Sequence, residues 1–538
     1  MSSGTRPAPR SLIATVGSIS FATSLSRILG LLRDQVQAYY FGAGAVSDAY
    51  LAAFRVPNLL RDLFAEGALS AAFVPTFVRA RLDGDAASAW RLANRVFGAL
   101  LVILGLLTTL ILVFAPQILG VYVSGFDDAK MDLAVRMTRI VSPFLLFVAF
   151  AAVAMGMLNS CGRFFLPALA PVAFNVAAIL GVLTLVPMFR VLGVEPGLAL
   201  AWGAIAGGFL QFAVQMPALR REGFVLRPEV ALGDPGLRRI GTLMLPATFG
   251  LAATQLNILV DTHLAASLGD GAISFLTYAF RLIQLPIGLF GVAIATANLA
   301  RVSQHAARGD LYAIRTNLAA ALRVAAVLTL PATAGLLALR EPIVRVLFEW
   351  GGEFDARDTT MTAGAVLCYA LGLFAYAVTK IQVPTFYALG DTRRPVAASA
   401  VAVAVKIAAS LILLRVLPRF GAAAFLGLAL STSLASWVNF AQLAWAIRRR
   451  LGPFTGLGVW TTGLKMAAIS ALMAASCAGA HGWLDGRLGG PGKMGDVVRL
   501  AAVIGLGIAI TVAGMAVLRI PEGSALLARW RARRGASR

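Results

Sequence analysis

The sequence predicts an all-α polytopic membrane protein with about fourteen transmembrane helices, set out as two six-helix lobes in parallel repeat plus two C-terminal helices. Three observations predict it. Hydrophobic residues make up 59% of the 538 residues and charged residues only 13%, whereas a soluble domain is about a quarter charged. Apolar segments recur along the whole chain at the length of a bilayer crossing, about 20 residues each. Short motifs recur between the two halves at a nearly constant offset.

The segments follow in order. Residues 11–34 form the first span. The basic stretch Met1 to Arg10 ahead of it mimics a secretory signal, but Arg27 and Arg33 interrupt the apolar run and no small-residue cleavage site follows, so the segment reads as a retained helix. The second span, 46–78, carries charges and Pro57. Spans 93–118, 133–159, 164–189 and 196–218 complete an N-terminal lobe of residues 1–219. Spans 240–266, 272–300, 316–339, 360–388, 395–417 and 420–446 make a C-terminal lobe of residues 220–450. Spans 460–480 and 498–519, with a basic tail, occupy residues 451–538.

Orientation follows from the arginines between spans. Even-numbered loops hold Arg79, Arg81 and Arg91; Arg163; Arg220, Arg221, Arg227, Arg238 and Arg239; Arg301 and Arg308; Arg393 and Arg394; and Arg448 to Arg450. The tail adds Arg529, Arg531, Arg533 and Arg534. Odd-numbered loops are poorer in basic residues and acidic at Asp127, Asp128 and from Glu349 to Asp358. By the positive-inside rule the even loops and both termini face the cytoplasm. The net charge of +22 is thereby assigned to loops and not to nucleic-acid binding.

The repeat is read from matched residues. Ala53-Phe54-Arg55 recurs as Ala279-Phe280-Arg281, and Leu63-Phe64 as Leu289-Phe290, each 226 residues on. Asp34 pairs with Asp261 at 227, while Gly162 with Gly390 and Pro167 with Pro395 pair at 228. The offset covers six spans, an even number, so both halves share one orientation. Substrate sites of such transporters tend to lie between the repeats.

Ionisable groups at membrane depth cost a few kcal/mol each and mark function. The first two spans hold Arg27, Arg33, Asp34, Asp48, Arg55, Arg61, Asp62 and Glu66. Arg27 and Asp34 are seven apart and share a helix face, as do Asp48, Arg55 and Asp62, with Pro57 blurring that phase. Arg281 is the main cation of span eight, and the counterparts of Arg61, Asp62 and Glu66 are Ile287, Gly288 and Val292. Anion recognition is therefore expected to be asymmetric, with Arg281 reaching across from the second half. Arginine binds phosphate oxygens through a planar fork and stays charged when buried.

Blander readings stand beside these. Arg33 reads as a cavity cation or a snorkelling loop-edge residue. Arg27 reads as a ligand group or the partner of Asp34, and Arg61 as a ligand group or the partner of Asp62 or Glu66. Asp48 and Arg55 read first as gate or packing charges. Arg136 and Arg139 either snorkel or line a cavity, and Lys380 is a counter-charge, a coupling group or a snorkelling residue. Asn257 and Asp261, one helical turn apart, either ligate a cation or pair helices. Gly42-Ala43-Gly44 is a turn and not a phosphate loop. Cys161, Cys368 and Cys477, and His263, His305 and His481, fit no metal, disulfide or catalytic-triad spacing.

Several blocks resemble one family. Ser26-Arg27-Ile28-Leu29-Gly30, Arg33-Asp34, Phe41 to Gly44 and Ser47-Asp48-Ala49 resemble the opening of MurJ/MviN proteins. Pro57-Asn58-Leu59-Leu60-Arg61, Phe64 to Ala68 and Ala72-Phe73-Val74-Pro75 form the most specific block. The likeness continues through Leu158-Asn159, Pro167, Asn175, Arg281-Leu282, Pro286, Gly288, Pro384, Phe386-Tyr387, Asp391-Thr392 and Pro395. The family belongs to the multidrug/oligosaccharidyl-lipid/polysaccharide exporter superfamily. The resemblance implies a fourteen-helix fold and the flipping of lipid II for peptidoglycan synthesis. It implies that Arg27, Arg33, Arg61 and Arg281 bind substrate, with Asp34, Asp48 and Glu66 as supporting acids; Arg55 and Lys380 join them as supporting or gating candidates from their charge at membrane depth alone. The chain departs from the family pattern at Phe280 and Gln284, where acids are frequent, and at Asn298-Leu299-Ala300-Arg301.

The expected activity is alternating access without covalent chemistry: arginines hold the diphosphate while the apolar tail stays in lipid. The partners are lipid II, membrane lipids and the cell-wall synthesis machinery, with no nucleic acid. No cofactor is expected, and a coupling ion or the membrane potential, worth about 2.3 kcal/mol per charge per 100 mV, drives the cycle. The alternatives are export of another lipid-linked glycan or of drugs, or a membrane-embedded glycan-lipid enzyme. Drug-cation export calls for an acidic cavity. An enzyme calls for clustered carboxylates at a membrane face, and the loop at 219–239 holds only Glu222, Glu229 and Asp234.

Overall fold

A computed structural model describes residues 12–62, 69–83, 85–488 and 492–523, and its regular elements there are helices. The first hairpin joins α1 (Leu12–Phe41) to α2 (Ala45–Arg61). Gly42 adopts φ +59°, a left-handed conformation that favours glycine, and the Ser47 hydroxyl closes the turn on the Gly42 carbonyl at 2.8 Å. The predicted second span maps onto α2 and α3 (Leu69–Asp83). Glu66 lies outside the described residues.

The third span is α4 (Ala86–Tyr122), whose N-terminus is capped by the Asp85 carboxylate accepting from the Ser88 N–H. It bends at Phe114, two residues before Pro116. Proline has no N–H to give the carbonyl four residues back, which is Leu112. The Arg139 guanidinium donates to that carbonyl at 3.2 Å.

The fourth span is broken at Ser142-Pro143 into α5 (Asp128–Val141) and α6 (Phe144–Ser160). Then come α7 (Phe165–Leu192), the pair α8 (Leu198–Ala213) and α9 (Met216–Arg221), and α10 (Pro235–Ala266). The eighth span passes through a π turn, Ile287–Gly291, between α11 (Ala272–Pro286) and α12 (Val292–Ala307). α13 (Leu311–Ala338) leads to a short α14 (Arg340–Phe348). The tenth span, α15 (Ala356–Ala370) and α16 (Leu373–Ala388), is bent by 45°. α17 (Arg393–Val416), α18 (Leu426–Leu451), α19 (Val459–Leu488) and α20 (Lys493–Val517) follow.

Each predicted span thus has its helical segment, with ends shifted. α1 runs seven residues past 34, because Gln35 to Phe41 continue the helix beyond the apolar run. Among the described residues nine segments are long and apolar enough to cross a membrane alone, and α15 with α16 makes a tenth.

Contacts divide the chain into two compact units, Met1–Ser274 and Phe275–Arg538. In the first, α7 packs on α1 and α8, and α10 packs on α3 and α4. The segment after α9 lies along α4. Asn94 bonds the Val225 carbonyl and the Arg227 N–H, Phe97 stacks with Phe224 and Trp90 packs against it at a tilt, and a Cβ on Gly98 would fall 2.1 Å from the Glu229 carbonyl oxygen. In the second, α17 packs on α18, and α13 packs on α19, which holds α20.

The repeat is visible in backbone detail. Gly162 and Gly390 adopt φ +75° and +73°, and Gly193 and Gly421 adopt +68° and +73°. Both pairs are 228 residues apart. The same offset relates two ion pairs of reversed polarity: Arg163 meets Glu222 at 2.9 Å, and Asp391 meets Arg450 at 3.4 Å.

Candidate functional site

Arg27 is the sixteenth of the thirty residues of α1, about 22 Å from either end at 1.5 Å per residue. It is exposed and makes no ion pair or hydrogen bond among the described residues. Beside it, the Asn175 amide of α7 donates to the Ser26 carbonyl at 3.2 Å and to the Pro171 carbonyl at 3.1 Å. This ties α1 to α7 at the level of Arg27.

Of the two readings of Arg27, the pairing with Asp34 is not what the structure shows. Arg33 takes Asp34 instead, its Nε and Nη2 donating to one carboxylate oxygen at 3.3 and 2.8 Å. Arg33 also stands 5.6 Å from the centroid of Phe174, a favourable cation–π placement. Asp34 is buried and Arg33 half-buried.

Arg61 repeats the pattern with its own successor. Its Nε and Nη2 donate to one oxygen of Asp62 at 3.1 and 2.8 Å. The Gln255 amide of α10 donates to the other oxygen at 3.0 Å. Each Arg-Asp dipeptide is neutral as a unit.

Asp48 is fully buried and acts as a helix cap. One oxygen accepts from the Ser274 N–H at 2.9 Å and hydroxyl at 2.6 Å, the other from the Gly271 N–H at 2.9 Å. These groups open α11, where a negative charge is favoured by the helix dipole. Lys130 completes the cluster, 3.0 Å from Asp48 and 2.9 Å from Asp270, with its ammonium 4.2 Å from the Phe126 ring centroid. Arg55 lies half-buried near the Tyr122 hydroxyl.

The remaining charges have definite places. Arg136 pairs with Asp132 at 3.0 Å on an exposed face. Asp261 is half-buried, and the side-chain oxygen of Asn257 has no hydrogen bond among the described residues. In the second unit Arg281 is half-buried on α11. Phe280 packs against Tyr369 with centroids 5.3 Å apart, and Gln284 is exposed. Asn298 donates to the Thr385 hydroxyl at 3.1 Å, tying α12 to α16. Lys380 is exposed, 5.3 Å from the Tyr376 ring centroid.

Sequence reasoning missed Lys130, whose place at the start of a span reads as ordinary loop charge. It also missed Lys406, which is 4% exposed in the middle of α17. A lone lysine inside the apolar run 396–414 is a signal that would have found it. Among the described residues no group of three or more His, Cys, Asp or Glu side chains is arranged to hold a metal.

The model of the lipid II flippase MurJ family matches residues 37–488. A Burkholderia cenocepacia protein described as lipid II flippase MurJ is 37% identical over 439 residues, covering 80% of this chain and 83% of its own length. A probable lipid II flippase MurJ of Rhizobium meliloti is 36% identical over 484 residues, 88% of each chain. A solved lipid II flippase MurJ in an inward closed conformation superposes with TM-score 0.74 at 25% identity, covering 93% of this chain and 98% of that one. An inward-facing multidrug transporter of the MATE family shares the fold at TM-score 0.63 and 16% identity, covering 81% of this chain and 98% of its own. By sequence and fold together, this chain belongs to the lipid II flippase MurJ family.

Proposed function

We propose that this chain moves lipid II, the undecaprenyl-diphosphate-linked peptidoglycan precursor, from the cytoplasmic to the outer leaflet by alternating access. Arg27 carries the reading. A guanidinium at mid-span costs a few kcal/mol unless it meets water or an anion, and this one has no protein partner among the described residues. A diphosphate supplies several oxygens to a planar fork.

Arg33 and Arg61 serve the same ligand, held in position by Asp34 and Asp62. Arg281 is the cation that the second unit contributes to the transport cycle. Asp48 supports the start of α11, and Glu66 and Lys380 have supporting roles. Asn257 and Asp261 are the candidates for a coupling cation, and the membrane potential drives charge movement. No bond of the substrate is broken, so the chain acts as a transporter and not as an enzyme. Both termini face the cytoplasm, and the cell-wall synthesis machinery receives the product.

Complementation of a bacterium depleted of its own lipid II flippase tests this. Wild type is expected to restore growth, and Arg27→Ala, Arg61→Ala and Arg281→Ala to fail at normal membrane levels. A well-inserted wild type that does not rescue, or arginine variants that rescue fully, would overturn the reading.

A further inference from the structure

A basic pocket lies in the second unit, where α13, the start of α19 and the chain after α20 meet. It is an open cleft of about 340 Å³ lined by Arg323, Gly458, Thr461, Thr462, Lys465 and Pro521 among others. The Arg323 Nε donates to the Glu522 carboxylate and its Nη1 to the Leu457 carbonyl. The Lys465 ammonium donates to the Leu518 carbonyl at 2.9 Å. These bonds fix both cations while using only part of their five and three donors. With Glu522 counted, the wall keeps a net positive charge.

Thr462 adds a third polar group to the wall. It is 5% exposed and faces the pocket, yet its hydroxyl makes no hydrogen bond among the described residues, whereas its neighbour Thr461 bonds back to the Gly458 carbonyl. That hydroxyl oxygen is open to the pocket and can donate to an anion there. Gly456 and Gly458 turn the loop with φ +76° and +71° and place no side chain in the opening.

The pocket's depth identifies the ligand class. Trp460, on the first turn of α19, is 74% exposed, as tryptophans of the membrane–water interface are. Lys465 lies five residues on, about 7 to 8 Å deeper along the helix. The loop follows Arg448 to Arg450, which places it on the cytoplasmic side by the positive-inside rule. We infer that this pocket binds the phosphate group of an anionic phospholipid headgroup of the cytoplasmic leaflet.

Native mass spectrometry of the delipidated full chain, titrated with phosphatidylglycerol or phosphatidylcholine, tests the inference. Phosphatidylglycerol is expected to bind about tenfold more tightly, a preference that Thr462→Val with Lys465→Gln removes, in line with loss of charge-assisted hydrogen bonds. This double variant leaves the Arg323–Glu522 pair in place, and an unchanged unfolding temperature confirms its fold. Arg415→Gln, at an exposed position on α17, is the control and should retain the preference. Equal binding of the two lipids, or an unaltered preference in the double variant, overturns the site. Stabilisation by inorganic phosphate equal to that by phosphatidylglycerol overturns the lipid assignment in favour of a free anion.

Discussion

Replacing Lys130 by methionine removes the cation between Asp48 and Asp270 while keeping most of the side-chain volume. The Lys130 and Asp48 side chains are 3% and 1% exposed, and Asp270 is 59% exposed. Removing one partner of a buried pair costs about 3–5 kcal/mol. Asp48 would keep its three donors from Gly271 and Ser274, which puts the loss near ~3 kcal/mol, and the exposed Asp270 contact adds at most about 1 kcal/mol. At roughly 2 °C per kcal/mol for a large unit, the apparent Tm falls by ~6 °C. The assay is a thermal double-mutant cycle in detergent with Lys130→Met, Asp48→Asn and the pair. The double variant should lose less than the two single losses combined, because a neutral amide in place of the Asp48 carboxylate no longer lacks a counter-charge. A Lys130→Met protein within ~1 °C of wild type, or strictly additive losses, would refute the description of a buried, mutually dependent cluster.

Other outcomes follow from single contacts. Gly98→Ala should destabilise by about 1–3 kcal/mol and expose the 223–234 segment to protease, since its Cβ meets the Glu229 backbone. Arg163→Glu should cost no more than ~1 kcal/mol, and adding Glu222→Arg should restore it, because the pair is exposed and its repeat counterpart already runs in the opposite sense. Burial pushes the Cys161 thiol up, against the lowering influence of Arg81, whose Nη1 donates to Sγ at 3.0 Å. Its maleimide labelling should therefore keep rising above the pH at which a free thiol levels off, and Arg81→Gln should move that rise still higher; a profile like free cysteine would contradict this.

Much of the architecture was legible because a bilayer imposes one length scale and one charge rule on every span. Part of the repeat was legible because turns need specific residues: Gly162 and Gly390, matched in the sequence, both hold positive φ, whereas the equivalent pair Gly193 and Gly421 stands among unlike neighbours and emerged only from the backbone. Arg27 could be singled out from cost alone, since an arginine in mid-span has few explanations. Its relation to Asp34 could not, because helical spacing favours a partner seven residues away while a long side chain can also turn onto its neighbour, as Arg33 does. Asp48 was legible as a buried acid but not as a cap, because its partners Gly271 and Ser274 are more than 220 residues distant. The role of Arg139 depended on Pro116 freeing a carbonyl one helix away, a relation that pairs two elements and has no signature in either one alone.

The most direct test of diphosphate capture at Arg27 is the lipid II dissociation constant of the purified wild type, Arg27→Lys and Arg27→Gln. A guanidinium bound to phosphate predicts affinity weakened about tenfold or more in Arg27→Gln and only partly recovered in Arg27→Lys, which keeps the charge but loses the planar fork. Equal affinity in all three proteins would contradict it.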